Sequence, residues 1–179
     1  IDDNAALTSV NGLRGLQGDL PGLLNVELNP QLATLDGLEG IAGITGASSG
    51  GVSLYIRDNA ALTSISGLRG LSGDLPGALE VSDNPELTSL SGLEGVRGIT
   101  GESTNGFGSL YIAGNPKMCL SESDRARLTA GINISGGGNA TIPDTETARD
   151  EEAPSRSRVI DQSRTSSWPV TCPTSSSPM

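Results

Sequence analysis

Four aspartates are the residues of this chain best suited by type to acid–base chemistry: Asp2, Asp3, Asp58 and Asp83. Clustered carboxylates can act as general acid and base in polysaccharide cleavage. These aspartates, however, recur with an internal repeat, which is typical of corner residues, whereas a single active site breaks periodicity. The chain also lacks histidine, a nucleophile motif and metal-ligand spacing. We therefore predict that it is not an enzyme and uses no metal and no cofactor.

Tyrosines supply the better candidates for binding. Tyr55 and Tyr111 are the only two in the chain, and the repeat places them in one column of outward strand positions. An exposed tyrosine can anchor a partner, although strand propensity and packing between strands also favour this residue type. The predicted binding residues, which include the only phenylalanine of the chain, are Tyr55, Arg57, Glu80, Tyr111 and Phe107.

The elements that position these residues come from an internal repeat. Residues 1–46 recur as residues 56–101 at an offset of 55, with 32 of 46 positions identical. Each copy contains two related turns marked by an asparagine, and periods of this length predict a solenoid. An inward asparagine can bond corner backbone groups and its counterpart in the next turn. The predicted ladder comprises Asn4, Asn29, Asn59, Asn84 and Asn115.

Three apolar patches per turn predict the strands and corners. The LxV patch alternates inward and outward residues, as a half-buried strand does. Its outward columns are Asn25, Tyr55, Glu80 and Tyr111, and then Glu27, Arg57, Ser82 and Ala113. The Gly-rich patch predicts a column of alternating charge, Arg14, Glu39, Arg69 and Glu94. Two Gly/Ser-rich insertions, at 47–51 and 102–107, are either tolerated surface loops or recognition loops.

Composition excludes several partners. The net charge is −10 without a long basic run, so we expect no nucleic-acid binding. No apolar run approaches the ~20 residues of a spanning helix, so we expect no membrane insertion by this segment. The pair of cysteines, Cys119 and Cys172, and the glycosylation sequons at Asn133 and Asn139 favour a secretory route. A start without Met inside a repeat suggests a mature or excised piece of a longer product.

The motif Asn115-Pro-Lys-Met-Cys119, after turns of the form LxIxxNxxLxSLxGLxxIxG, resembles the closing turn of receptor L domains. These are leucine-rich, right-handed β-helix modules of insulin and epidermal growth factor receptor ectodomains. The resemblance covers residues 1–142 and implies a Cys119–Cys172 disulfide. The expected Trp after the cysteine is absent, the spacer to Cys172 is long, and the two copies are unusually alike. These departures suggest a repetitive microbial or algal surface protein of that fold.

The predicted fold is therefore all-β: a right-handed parallel β-solenoid of four to five rungs over residues 1–142. The stretch 121–130 reads as a capped helix that closes the stack. Residues 143–179 are charged and rich in Ser, Thr and Pro, and they predict a tail or linker.

The function expected from these features is a non-catalytic extracellular or cell-surface module for interaction or assembly. Its partner would be a protein, a glycan or copies of itself. One alternative is a structural subunit that stacks end to end into a fibre. Another is an ice-binding or glycan-binding solenoid, since one outward column contains Thr8, Thr63 and Thr88, interrupted by Ala33.

Overall fold

The computed structural model describes residues 1–106 and 108–120, Asp124, Ala126 and three two-residue strands beyond them. The regular secondary structure of the described part of the chain is mostly β-strand, and two single-turn 3-10 helices, η1 (Asn11–Leu13) and η2 (Ser66–Leu68), are the only helical elements with described bounds. The strands are β1 (Gly18–Leu20), β2 (Leu24–Glu27), β3 (Ile41–Ile44), β4 (Val52–Arg57), β5 (Gly73–Leu75), β6 (Ala78–Ser82), β7 (Val96–Ile99), β8 (Leu110–Ala113), β9 (Asn133–Ile134), β10 (Ala140–Thr141) and β11 (Val159–Ile160).

The largest sheet has six strands in the order β11-β10-β8-β6-β4-β2. All its pairings are parallel except β10 with β11, which is antiparallel. The repeat sets the register, because like positions of successive copies lie side by side. The inward columns are Leu24, Leu54, Leu79 and Leu110, and then Val26, Ile56, Val81 and Ile112.

Two smaller parallel sheets, β1-β3 and β5-β7-β9, lie across the core from the six-stranded sheet. The N–H of Ser72 donates to the carbonyl of Ala42 at 2.9 Å and joins the two. The three sheets are open, and none closes on itself. The core between them is aliphatic, with leucine, isoleucine and valine repeated at the same positions of both copies. Burial of these side chains provides the main favourable term in folding.

The five marker asparagines form a hydrogen-bonded column along one edge of the six-stranded sheet. The Oδ1 of each of the last four accepts the backbone N–H of the preceding one at 2.9–3.3 Å. The amide Nδ2 groups of Asn4, Asn29 and Asn59 also donate to the Oδ1 of the next asparagine, at 3.0, 3.1 and 3.1 Å. The ladder therefore satisfies buried corner groups in every repeat, as such groups require.

A left-handed residue precedes each asparagine of the ladder. Its φ is 52–55° in the first four cases and 66° in the last, at Asp3, Leu28, Asp58, Asp83 and Gly114. Aspartate and glycine tolerate this conformation, whereas leucine is strained in it. This requirement accounts for three of the four aspartates considered above as acid–base candidates.

Leu28→Asn is therefore expected to raise the free energy of unfolding by about 1 kcal/mol, because Asn populates the left-handed region at a lower cost. Leu28 is 45% exposed, so the substitution forfeits little burial. Leu23→Asn is the matched control, since Leu23 is 36% exposed and has no positive φ. Urea unfolding would compare the two, and a gain in both variants would contradict backbone strain as the cause.

Several sequence expectations lie wholly or partly outside the described residues. The 121–130 helix is described only at Asp124 and Ala126, both helical. Phe107, Asn139 and Cys172 are not described, and Asn133 is described only as strand backbone. Cys119 is disulfide-bonded, while its pairing with Cys172 stays a prediction. Within 143–179 the structure describes only β11.

Candidate functional site

The outer face of the six-stranded sheet brings four of the five predicted binding residues together. Tyr55 of β4, Glu80 of β6 and Tyr111 of β8 are register partners in one column. Arg57 lies in the neighbouring column, where Ser82 is its partner on β6. The inward residues between them belong to the core, and the alternation of a strand directs these side chains the other way. We call this group the outer-face cluster.

Arg57 is the centre of the polar contacts in the outer-face cluster. Its Nη1 donates to the Tyr55 hydroxyl at 2.9 Å. Its Nε lies 2.9 Å from Oδ2 of Asp58 and 3.8 Å from Oδ2 of Asp83. The hydrogen bond with Tyr55 raises the pKa of the guanidinium. The Nε itself forms no hydrogen bond, so the Tyr55 hydroxyl and the charge of Asp58 hold the Arg57 side chain in place, which favours its use in recognition.

Glu80 differs from what its outward position predicts, since it is only 2% exposed. It is flanked in register by Tyr55 of β4 on one side and Tyr111 of β8 on the other. Its Oε1 accepts the Ser82 hydroxyl at 3.0 Å, whereas its Oε2 has no hydrogen-bond partner. Burial raises the pKa of the Glu80 carboxyl, against the opposing effects of Ser82 and Arg57. Burial likewise raises the pKa values of Tyr55 and Tyr111.

The raised pKa makes a pH-dependent contribution to stability. A carboxyl whose pKa is higher in the folded chain than in the unfolded chain binds more protons when folded. Its contribution to the free energy of unfolding therefore becomes less favourable as the pH rises from the unfolded-state pKa to the folded-state pKa. Glu80→Gln is therefore expected to raise the free energy of unfolding at neutral pH, and this gain should shrink as pH falls towards 4.5, the ordinary pKa.

Urea unfolding of Glu80→Gln at a series of pH values would measure this effect. Glu102→Gln serves as control, because Glu102 is exposed. The burial argument would be wrong if Glu80→Gln lowered stability at neutral pH, or if its effect were the same at every pH.

The two sequence copies diverge on this same face. The outward positions that they share on the sheet are all different, namely Asp2/Arg57, Leu23/Ala78, Asn25/Glu80 and Glu27/Ser82. The inward positions beside them are identical, namely Ile1/Ile56, Leu24/Leu79 and Val26/Val81. Core packing explains the identity of the inward set. The fold does not require the particular outward residues, so this face is free to carry a function.

The predicted charge column is only partly paired. Arg69 Nη1 lies 3.7 Å from Glu39 Oε1, and this is the one ion pair that its four members form within the described ranges. Glu39 and Glu94 instead accept N–H groups of their own corners, from Gly37 at 2.9 Å and Gly92 at 2.7 Å. Main-chain hydrogen bonds lower the pKa of Glu39, and the nearby Arg69 and Arg14 lower it further. The glutamates thus fix corners as well as charges.

The two Gly/Ser-rich insertions contact each other directly. The N–H of Thr104 donates to the carbonyl of Gly50 at 2.9 Å. The turn that lies between the insertions in the chain has no insertion of its own and does not separate them. Ala78 of this turn donates its N–H to Gly51 O at 2.8 Å. These contacts form a joint surface between the insertions, in which Phe107 is not described.

Two of the three threonines in the column proposed for ice binding use their hydroxyls internally. Thr63 Oγ1 donates to Ala33 O at 3.1 Å, and Thr88 Oγ1 donates to Thr63 O at 3.3 Å. The adjacent column behaves in the same way. There each hydroxyl accepts a hydrogen bond from the backbone N–H of the residue two positions later in the chain, and the accepting residues are Ser9, Thr34, Ser64 and Ser89. These are short side-chain turns that set the corners. Hydroxyls engaged in this way are less available to order water.

Within the described residues, no three or more His, Cys, Asp or Glu side chains are grouped so as to hold a metal ion. The described helical residues include no stretch long and apolar enough to cross a bilayer. Comparison of the chain with protein-family models, with curated proteins and with solved structures finds no match.

Sequence reasoning missed the supporting residues of the outer-face cluster. Ser82 orients Glu80, and Asp58 and Asp83 hold Arg57. Asn25 ends the column with an Oδ1 that is buried and without a partner. The outward columns already contained Ser82 and Asn25, but their contacts depend on rotamers that spacing does not specify.

Proposed function

We propose that this chain is a non-catalytic extracellular interaction module that binds a protein or glycan through its outer-face cluster. The proposal includes the finer fold expectation of a right-handed leucine-rich solenoid of the receptor L domain type. Parallel sheets, in-register leucine columns and the asparagine ladder support that assignment. The sequons and the disulfide at Cys119 support the secretory route.

The observation that carries the proposal is the grouping of Tyr55, Arg57 and Tyr111 on one ordered sheet face. Residues there have changed while their inward neighbours have not, and the changes introduce Arg57 and Glu80 beside Tyr55 and Tyr111. Tyrosine and arginine are the residue types most enriched among binding hot spots. Their concentration on one ordered face favours recognition over plain sheet stability.

The chemistry of the cluster indicates what it would recognise. Two half-buried tyrosine rings provide flat apolar surface with a polar edge, suited to a sugar ring or a side chain. Glu80 is buried between the two tyrosine-bearing strands and bonded to Ser82, so it supports the surface instead of contacting the partner itself. Arg57 contributes donors in a fixed orientation.

Arrays of glycans and of secreted proteins would test the proposal. For a ligand found there, Arg57→Ala is expected to weaken binding by roughly 30-fold, the effect of a typical hot spot. Arg97→Ala is the matched control, because Arg97 is exposed on β7 and its counterpart in the first copy is Ala42. Equal affinities of the two variants for every ligand would reject the outer face as the binding surface.

A further inference from the structure

One end of the core, formed by residues 1–20, lies open, and we call it the open face. Leu16 is 42% exposed there, whereas its counterpart in the second copy, Leu71, is 1% exposed. Four further pairs show the same contrast. The residue of the first copy is partly exposed and its counterpart in the second copy is buried in Ile1/Ile56, Leu7/Leu62, Leu13/Leu68 and Leu20/Leu75. Residues 24–46 cover the second set, since their main chain contacts residues 63–72 directly.

Glycines distinguish the open face from its covered counterpart in the second copy. A Cβ at Gly67 would overlap the carbonyl oxygen of Leu35, and one at Gly70 would overlap that of Glu39. Their counterparts, Gly12 and Gly15, have nothing within 4 Å of the same position and no positive φ. Neither backbone conformation nor a contact within the chain requires glycine at these two sites.

Main-chain donors on the open face are also unpaired. In the second copy, Thr63 and Ser72 each donate their N–H to a carbonyl of the 24–46 segment, at 2.9 Å. The counterparts Thr8 and Gln17 have no such acceptor in the part of the chain that the structure describes. Unpaired strand-like donors beside apolar surface invite pairing with another chain segment.

Charge gives a fourth indication. Arg69 pairs with Glu39 of the covering segment at 3.7 Å. Its counterpart Arg14 donates only to Asn11 Oδ1, at 3.0 Å, and forms no ion pair within residues 1–106. The open face therefore presents an arginine where its covered counterpart meets a glutamate.

We propose that the open face is a docking site for a leucine-rich segment that folds like residues 24–46. Such a segment would place its carbonyls over Gly12 and Gly15, accept the N–H groups of Thr8 and Gln17, and set an acid near Arg14. The face already has the required shape, because η1 and η2 are flanked by nearly equal dihedral angles, with φ of −106° and −111° before them. This site is distinct from the outer-face cluster and does not depend on the function proposed for it.

The test adds a second copy of residues 24–55 directly before Ile1 of the full chain, in the order in which they precede Ile56. Docking of this extension is expected to raise Tm by roughly 5 °C, since a new repeat interface adds to the stability of its neighbours. Fluorescence of the apolar dye ANS should fall as the exposed leucines are covered.

Gly12→Ala makes the test specific. In the unextended chain the added methyl meets open space, so Tm should not fall. In the extended chain the same methyl meets the docked carbonyl, and most of the gain in Tm should be lost. An extension that leaves Tm and ANS fluorescence unchanged would overturn the proposal, and so would a gain that Gly12→Ala does not reduce.

A second copy of the protein is the other molecule that could occupy the open face. Sedimentation of the unextended chain would measure such self-association. Self-association that Leu16→Lys abolishes but Gly12→Ala leaves intact would show copies meeting by apolar contact alone. That result would also overturn the proposal, because a segment like residues 24–46 needs the space above Gly12.

Discussion

Replacing Asn59 by alanine is expected to lower the free energy of unfolding by about 4 kcal/mol. The Asn59 side chain is fully buried and donates to Val26 O, Arg57 O and Asn84 Oδ1, at 2.9–3.1 Å. Its Oδ1 accepts the N–H and the Nδ2 of Asn29. The substitution leaves several of these groups buried without partners, and each costs about 1–3 kcal/mol when water cannot replace the bond.

Asn4→Ala provides the control at the exposed end of the same ladder. Its side chain donates to Asp2 O at 2.8 Å and Asn29 Oδ1 at 3.0 Å, and the residue is exposed. Water can replace these bonds, so a loss of about 1 kcal/mol is expected. Urea unfolding would give both values. Comparable losses at the two positions would mean that burial does not set the strength of the ladder.

Gly67→Ala is expected to lower the free energy of unfolding by about 3 kcal/mol, although alanine favours the helical backbone on its own. The added methyl would overlap the carbonyl of Leu35, and main-chain atoms on both sides are held by hydrogen bonds. No rotamer change relieves a clash between a Cβ and a carbonyl. To accommodate the methyl, the main chain around Gly67 in the second copy must therefore move away from the main chain around Leu35 in the first copy.

Gly12→Ala is the counterpart with the same local backbone and the same sequence neighbours, Leu13-Arg14-Gly15. Open space surrounds it, so Gly12→Ala should not destabilise the chain and should gain about 0.4–1 kcal/mol from the reduced freedom of the unfolded state. Thermal and urea unfolding of the pair would separate steric overlap from helix propensity. A small effect at both positions would show that the segments can move apart at little cost.

Counting residues was enough to predict which residues share a column. The recurrence of the LxV patch, at gaps of 25 and 31 residues, placed Tyr55, Glu80 and Tyr111 together, and the strand register agrees. In a parallel in-register arrangement, equal positions of successive repeats must lie side by side, so spacing alone carries this information. The same reasoning placed the asparagines in a single column.

Contacts made by long side chains were not predictable in this way. Arg57 reaches Tyr55, Asp58 and Asp83, and Glu80 becomes buried between tyrosines. These outcomes depend on rotamers and on which neighbour is closest, neither of which a repeat period specifies. The charge column illustrates the same limit, since Glu94 binds the N–H of Gly92 and not an arginine.

The ladder has a consequence at the level of the gene. Each junction along it uses the same donor and acceptor atoms, and residues 1–55 end where the next copy begins. Recombination between equivalent positions of the two coding segments would add or remove whole units of 55 codons and leave every junction satisfied. A shorter insertion within a strand would instead move the residues after it out of register with their partners on the neighbouring strand. Length variants that arise in this gene should therefore persist in steps of one unit.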